Sequence, residues 1–168
     1  RVKFQIQASV QKDYLRAAEF LNVNQYNAVI LQFEYGIFGG KDGASILRLL
    51  RSLHMPIVTT LHTALVEPTD GQRNVLMGIA EVSDKLVVIS RKAADIITEV
   101  YGIPAEKVVH IPHGIPDVPF SDPAYFKDIF DVERNRVILT FGLLNPGKGV
   151  EYMIDAMPAV VERFPDSV

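Results

Sequence analysis

The chain has 168 residues, of which 48% are hydrophobic and 22% are charged, and its formal net charge is -3. This composition is typical of a protein with a hydrophobic core and excludes an intrinsically disordered tail. The nearly balanced charge gives no electrostatic reason to expect a nucleic acid or an anionic membrane as partner. The chain has no cysteine, which excludes a disulfide framework and a thiolate nucleophile.

The apolar runs are strand-sized and too short to span a bilayer, and the first residues do not resemble a signal peptide. Together with the absence of cysteine, this favours a cytoplasmic location, and peripheral attachment to the inner face of the membrane stays open. The sequence opens on Arg1 rather than Met, which indicates a fragment of a longer protein.

The first half of the chain alternates strand patterns with helix patterns. Residues 2–6 alternate apolar and polar side chains, which predicts a half-buried strand, and residues 13–21 have apolar side chains at helical spacing. Residues 28–33 form an apolar run typical of a strand buried on both faces of a parallel sheet. Asp42 begins the next predicted helix, whose leucines and isoleucine form a wide apolar stripe up to Leu53.

The alternation then continues to residue 111. Strands are predicted at 56–61, 86–89 and 108–111, and helices at 71–82 and 91–101. Strands that alternate with helices through short loops indicate parallel βαβ units. The predicted fold class is therefore α/β, with a parallel Rossmann-like sheet and helices on both faces.

The proline-rich stretch 112–123 is the best candidate for a domain boundary. A short helix at 125–130, a strand at 137–141 and a helix starting near Gly149 are predicted after it. We therefore predict three regions, namely the later part of a first domain at residues 1–115, a linker at 116–136, and the beginning of a second domain at 137–168.

In open parallel sheets, ligands bind outside the carboxyl ends of the strands. The polar and glycine-rich positions that follow the predicted strands are residues 34–40, His62 with Thr63, Ser90 with Arg91, His113 with Gly114, and residues 142–149. If the strands share one sheet, these positions line one edge of it.

The loop from Gly142 to Gly149 matches the first seven places of the phosphate-binding pattern G-x-x-x-x-G-K-[ST]. Gly149 lacks the hydroxyl that this pattern needs for magnesium, and Pro146 lacks one backbone N–H, so a P-loop NTPase is rejected. The glycines would still let the backbone approach a ligand, and Lys148 supplies a positive charge for phosphate. The alternative is a tight turn that carries a solvated lysine.

His62 follows a strand and could donate to a phosphate or a sugar hydroxyl, or move a proton near neutral pH. A half-buried histidine bonded to the backbone is the alternative. Glu34, two aromatic side chains and the pair Gly39 and Gly40 suit the face of a sugar, although the same string also makes an ordinary turn. We expect no bound metal, because His110 and His113 should point to opposite faces of the strand.

Four segments follow one another along the chain, namely residues 58–63 (Val-Thr-Thr-Leu-His-Thr), 86–91 (Leu-Val-Val-Ile-Ser-Arg), 111–116 (Ile-Pro-His-Gly-Ile-Pro) and 141–156 (Phe-Gly-Leu-Leu-Asn-Pro-Gly-Lys-Gly-Val-Glu-Tyr-Met-Ile-Asp-Ala). In this order they resemble the family 4 glycosyltransferases of the GT-B fold. The last segment is the most specific, since the family's nucleotide-sugar domain opens with a strand, a glycine, a short loop, Lys-Gly and an amphipathic helix.

The resemblance implies two Rossmann-like domains, with residues 1–115 as the later part of the acceptor-side domain and the donor domain beginning after the linker. It places Lys148, with Gly142, Gly147 and Gly149, at the diphosphate of a sugar nucleotide. It places His62 near the transferred sugar and the acceptor. We further predict that Glu34, Gly39, Gly40 and Thr63 lie toward the acceptor. The family often has a second diphosphate contact, an arginine, where this chain has Leu143.

The resemblance further implies a retaining transfer from a nucleotide-diphosphate sugar to a sugar or lipid-linked acceptor, without a metal or other cofactor. We expect the 168 residues alone to be inactive, and uncovered sheet edges to favour self-association. Two alternatives stay open. They are a related GT-B enzyme such as a sugar-nucleotide epimerase, and a non-catalytic binding or assembly module on a Rossmann-like scaffold.

Overall fold

The computed structural model describes residues 2–142, 144 and 148–168. The chain divides into two compact units, residues 1–115 and residues 116–168. Each unit is described by itself.

The first unit is a four-stranded parallel sheet with helices between the strands. In chain order its elements are α1 (Gln11–Val23), β1 (Val29–Phe33), a 3-10 turn (Lys41–Gly43), α2 (Ile46–Leu50), β2 (Ile57–Leu61), α3 (Asp70–Val82), β3 (Lys85–Val88), α4 (Arg91–Glu99), a 3-10 turn (Ala105–Lys107) and β4 (Val108–His110). The strands lie in the order β1-β2-β3-β4, and each neighbouring pair is parallel. The predicted α/β Rossmann-like arrangement is confirmed.

The two helices between β2 and β4 start at side-chain caps that satisfy otherwise unpaired backbone N–H groups. Thr69 and Gln72 form a reciprocal capping box at the start of α3. Ser90 accepts a hydrogen bond from the backbone N–H of Ala93 at the start of α4. Ser90, predicted as an edge position, therefore has a structural role as a cap.

Burial is confined to one face of the sheet. Along β1, Leu31 is 8% exposed and Phe33 is buried, whereas Ile30 is 69% exposed and Gln32 is also exposed. The buried side chains of the strands pack with those of α1 to α4. Right-handed crossovers between strands in consecutive order place every connecting helix on the same face.

The helices described in the first unit therefore cover one face of the sheet. The sequence also predicted helices on the opposite face, and the described residues of this unit form none there. The prediction that residues 28–33 are buried on both faces is accordingly wrong. An apolar run does not distinguish a strand with two covered faces from a strand with one.

Two other expectations for the first unit differ from the structure. Residues 2–6 form no strand, and this segment instead packs on α1, where the rings of Phe4 and Phe20 lie 5.5 Å apart. The helix predicted from Asp42 to Leu53 is shorter, since α2 spans only Ile46–Leu50. Asp42 and Gly43 have positive φ values of 56° and 82°, which a continuous right-handed helix excludes.

The second unit contains α5 (Pro123–Lys127), a 3-10 turn (Asp128–Phe130) and α6 (Val150–Arg163). The strand predicted at 137–141 does not form. Arg136 makes an isolated parallel bridge to Ser167, while Phe141 is 94% exposed. Only Ser167 is buried among the described residues of this unit, so the unit has no hydrophobic core there to hold a strand.

Adjacent residues of β1 allow a direct test of the one-faced core. Leu31→Ala should lower the free energy of unfolding by about 2–5 kcal/mol, because it removes a buried side chain and leaves a cavity. Ile30→Ala on the same strand should cost less than about 1 kcal/mol, which covers the loss of strand propensity. Denaturant unfolding followed by circular dichroism measures both losses. We call the face opposite the helices the open face, and equal losses would show that side chains on it are buried as well.

Candidate functional site

The carboxyl ends of β1 and β2 meet at one edge of the sheet. Phe33 lies opposite Leu61 in the parallel register. The backbone N–H of His62 donates to the carbonyl of Phe33 at 3.1 Å, which extends the pairing by one residue. Three of the predicted site residues, Glu34, His62 and Thr63, are thereby brought to the same edge.

Glu34 and Thr63 form a hydrogen bond between the ends of the two strands. The Thr63 hydroxyl donates to Oε2 of Glu34 at 2.5 Å, and the backbone N–H of Tyr35 donates to Oε1 at 3.0 Å. Both oxygens of the carboxylate are therefore engaged by the protein. A hydrogen bond to a charged group typically contributes about 1.5–3 kcal/mol, so this pair holds the edge in one geometry.

His62 lies on the open face of the sheet, beside Gln32. The Nε2 atom of His62 lies 2.8 Å from Oε1 of Gln32, and the Gln32 amide donates to Oγ1 of Thr60 at 3.3 Å. A groove of about 350 Å³ on this face is lined by these three residues together with apolar side chains and His113. The His62 side chain is thus bonded to a side chain, not to the backbone as the alternative reading of the sequence had it.

Gly39 packs tightly against the segment that precedes α1. A side chain at this position would overlap the carbonyl oxygen of Ala8. The Tyr14 hydroxyl accepts from the N–H of Gly39 at 2.9 Å and donates to the same Ala8 carbonyl at 3.1 Å. The structure therefore gives Gly39 a packing role. Gly40 has a φ of 81°, in the region that glycine adopts most readily.

Tyr35, the residue after Glu34, forms a second group of polar side chains with Tyr101 and Asp42. Burial raises the pKa of Tyr35 well above its usual range, and the neighbouring Tyr101 and the carboxylates of Glu34 and Asp42 add to this effect. Within the described chain, the hydroxyls of Tyr35 and Tyr101 and one Asp42 oxygen are buried without a hydrogen-bond partner. Tyr35 therefore stays protonated and neutral near neutral pH.

The remaining predicted residues belong to the second unit. Gly142 has a φ of 138° and Gly149 one of 63°, both of which favour glycine. Lys148 is exposed and directly precedes Gly149, the N-cap of α6. The start of α6 presents backbone N–H groups, and Lys148 adds a positive charge one residue before the N-cap. Gly147 lies outside the described residues.

The described residues, 2–142, 144 and 148–168, offer neither a metal cluster nor a membrane-spanning helix. Within them, no group of three or more histidine, aspartate or glutamate residues is placed to hold a metal ion. No helix in the same part of the chain combines the length and apolar character needed to cross a membrane.

A cavity of about 420 Å³, larger than the groove beside His62, lies at the opposite edge of the sheet, near Ser83 and Lys85 where β3 begins.

Sequence reasoning missed two residues that organise this site. Gln32 interrupts the apolar run of β1, and that polar interruption was the available signal. Tyr14 could not be found in the same way. It lies on the apolar stripe of α1 and is fully buried, and only the structure shows its hydroxyl at Gly39.

A parallel sheet with polar side chains gathered at its carboxyl edge is the arrangement in which α/β proteins bind ligands. The sequence matches the profile of Glycosyltransferase Family 4 over residues 11–117, more than half of the chain. The chain therefore belongs to that family, and the predicted assignment to the GT-B glycosyltransferases of family 4 type is confirmed. The match supports a glycosyltransferase-like module and suggests transferase activity. No curated protein matches the chain.

Two glycines of the same loop separate a packing role from a ligand-binding role. Gly39→Ala should lower the free energy of unfolding by about 1–3 kcal/mol, the usual cost of overpacking, because the new methyl group overlaps Ala8. Gly36→Ala meets nothing within 4 Å and should be neutral or stabilising by up to about 1 kcal/mol. Thermal and denaturant unfolding compare the two variants. Equal stabilities would mean that Gly39 has no packing role and would favour a role in ligand binding.

Proposed function

We propose that the protein transfers a sugar from a nucleotide-diphosphate sugar to a sugar or lipid-linked acceptor, with retention at the anomeric carbon. The family match over residues 11–117 is the main support. The clustering of His62, Thr63 and Glu34 at the carboxyl edge of the sheet adds to it. In this reaction the bond from the anomeric carbon to the diphosphate oxygen breaks, and a bond to the acceptor oxygen forms on the same face of the sugar.

In this proposal His62 contacts the transferred sugar or the acceptor hydroxyl. An exposed imidazole at the end of a strand can exchange hydrogen bonds with hydroxyl groups near neutral pH. Glu34 acts differently from what its charge alone would indicate. Because both of its oxygens already accept hydrogen bonds, we propose that Glu34 shapes the acceptor side of the edge and holds Thr63.

Lys148 is proposed to bind the leaving diphosphate. Its positive charge and the N–H groups at the start of α6 favour an anion at the same place. Gly142, Gly147 and Gly149 would let the phosphates approach the backbone. Stabilisation of the leaving group by a helix terminus and a lysine requires no bound metal, and we propose a reaction that uses none.

The helix α6, which follows Lys148, is largely exposed, and this affects the activity that we expect of the chain. The side chains of Tyr152 and Ile154 on α6 are 75% and 64% exposed, so little packing fixes the helix that carries the proposed diphosphate site. We therefore expect the 168-residue chain to bind donors weakly and to transfer little or no sugar. Turnover by this chain at the rate of an ordinary transferase would contradict that expectation.

Titration of a panel of sugar nucleotides by calorimetry tests the proposed donor site. One donor should bind, and Lys148→Ala should weaken its binding by about 1.5–3 kcal/mol, because a hydrogen bond to a charged group is lost. Lys12→Ala, which removes an exposed lysine of α1, is the charge-matched control and should leave binding unchanged. If no donor binds, or both variants bind equally well, the non-catalytic binding module becomes the better account.

A further inference from the structure

The side chain of His62 is held by a chain of hydrogen bonds across the open face of the sheet. Gln32 and Thr60 lie directly opposite each other in the register of β1 and β2. The Gln32 amide nitrogen donates to Thr60 at 3.3 Å, which turns its carbonyl oxygen toward Nε2 of His62, 2.8 Å away. A strand pair therefore presents one acceptor atom to one nitrogen of the imidazole.

A carbonyl oxygen can only accept a hydrogen bond, so Nε2 must be the ring nitrogen that carries the proton. In a neutral histidine the hydrogen bond made at one nitrogen determines which nitrogen keeps the lone pair. Within the part of the chain that the structure describes, Nε2 is the only ring atom of His62 with a hydrogen-bond partner. The lone pair of neutral His62 is then on Nδ1.

We propose that Gln32 is a positioning residue that holds His62 as the Nε2–H tautomer and leaves Nδ1 to accept a hydrogen bond from a substrate hydroxyl. That this hydroxyl belongs to the acceptor rests on the proposed function. The tautomer itself does not, because it follows from contacts between Gln32, Thr60 and His62.

The surroundings of the bond favour a single orientation. The groove around it includes Ile30, Val58, Val87 and Ile89, whose apolar side chains offer no competing donor or acceptor to Gln32. The other imidazole of the lining, His113, has its Nδ1 atom 3.0 Å from the carbonyl oxygen of Gly114. A carboxamide bonded at both of its ends also loses the freedom to rotate. Gln32 thus acts as supporting groups do around other reactive histidines, where the bond at one nitrogen orients the other.

Nitrogen-15 NMR of the ring nitrogens measures the tautomer directly. The spectra are recorded on the histidine-labelled chain at a pH where the His62 signals have reached their neutral limit. The chain has four histidines, and His62→Gln identifies which signals belong to His62. We expect Nε2 to be the protonated nitrogen. Predominant protonation at Nδ1 would overturn the proposal without any variant.

Two substitutions at Gln32 test its role against a merely structural one. Gln32→Met keeps the length and removes the acceptor, and should lower the ratio of the Nε2–H to the Nδ1–H tautomer roughly two- to tenfold, the equivalent of one hydrogen bond. Gln32→Glu keeps an acceptor oxygen and should restore Nε2–H. Gln5→Met, at an exposed glutamine outside the groove, is the matched control. A ratio that is the same in all variants would overturn the proposal.

A transfer assay with the donor found by titration, run at a protein concentration high enough to measure the low turnover expected of this chain, then connects the tautomer to the substrate. Gln32→Met should lower kcat more than it raises the KM for the donor, because the misplaced lone pair affects the reacting hydroxyl and not donor binding. If no donor binds to the protein, the proposed function fails while the tautomer result still stands. If transfer occurs and kcat is unchanged while the tautomer shifts, Nδ1 does not accept a hydrogen bond from the substrate, and that part of the proposal is overturned.

Discussion

Parallel pairing of β1 with β2 determines where the chemistry of this protein can lie. Their register places Phe33 opposite Leu61, so the next residues of both strands emerge at one edge. Glu34 and Thr63 bond to each other there, and His62 bonds across to Gln32. An antiparallel pairing would send the ends of the two strands to opposite edges and separate these side chains. The position of the site therefore depends first on the parallel direction of β1 and β2, and only then on any single residue.

The second constraint is that the sheet buries only one of its faces within the first unit. Thr59 and Ser83 are buried and bonded to each other at 2.8 Å on the helix side, so even the polar groups of that face are satisfied internally. The opposite face keeps Ile30, Gln32 and His62 accessible. One face thus provides the stability, while the other provides an accessible groove in which a histidine and its supporting amide can meet a ligand.

Sequence patterns were sufficient for the four strands of the parallel sheet and for the polar residues that follow β1 and β2. Alternation of strands and helices predicted the parallel sheet, and the rule for carboxyl ends brought Glu34, His62 and Thr63 together. The patterns failed where a residue's role depends on a distant partner. The strand predicted at 137–141 does not form, because in the part of the chain that the structure describes the only backbone that pairs with this segment is a short stretch near Ser167. The packing role of Gly39 depends on Ala8, a contact that no local pattern encodes.

The central claim is that the carboxyl edge of β1 and β2 is the substrate site. Mapping of backbone amide shifts during titration with uridine- and guanosine-diphosphate sugars tests it most directly. The account predicts saturable shifts at His62 and Thr63 in addition to those at the proposed diphosphate site around Lys148 and Gly149. Shifts centred instead on the cavity at the opposite edge, around Ser83 and Lys85, would contradict it and place the ligand at the amino ends of the strands.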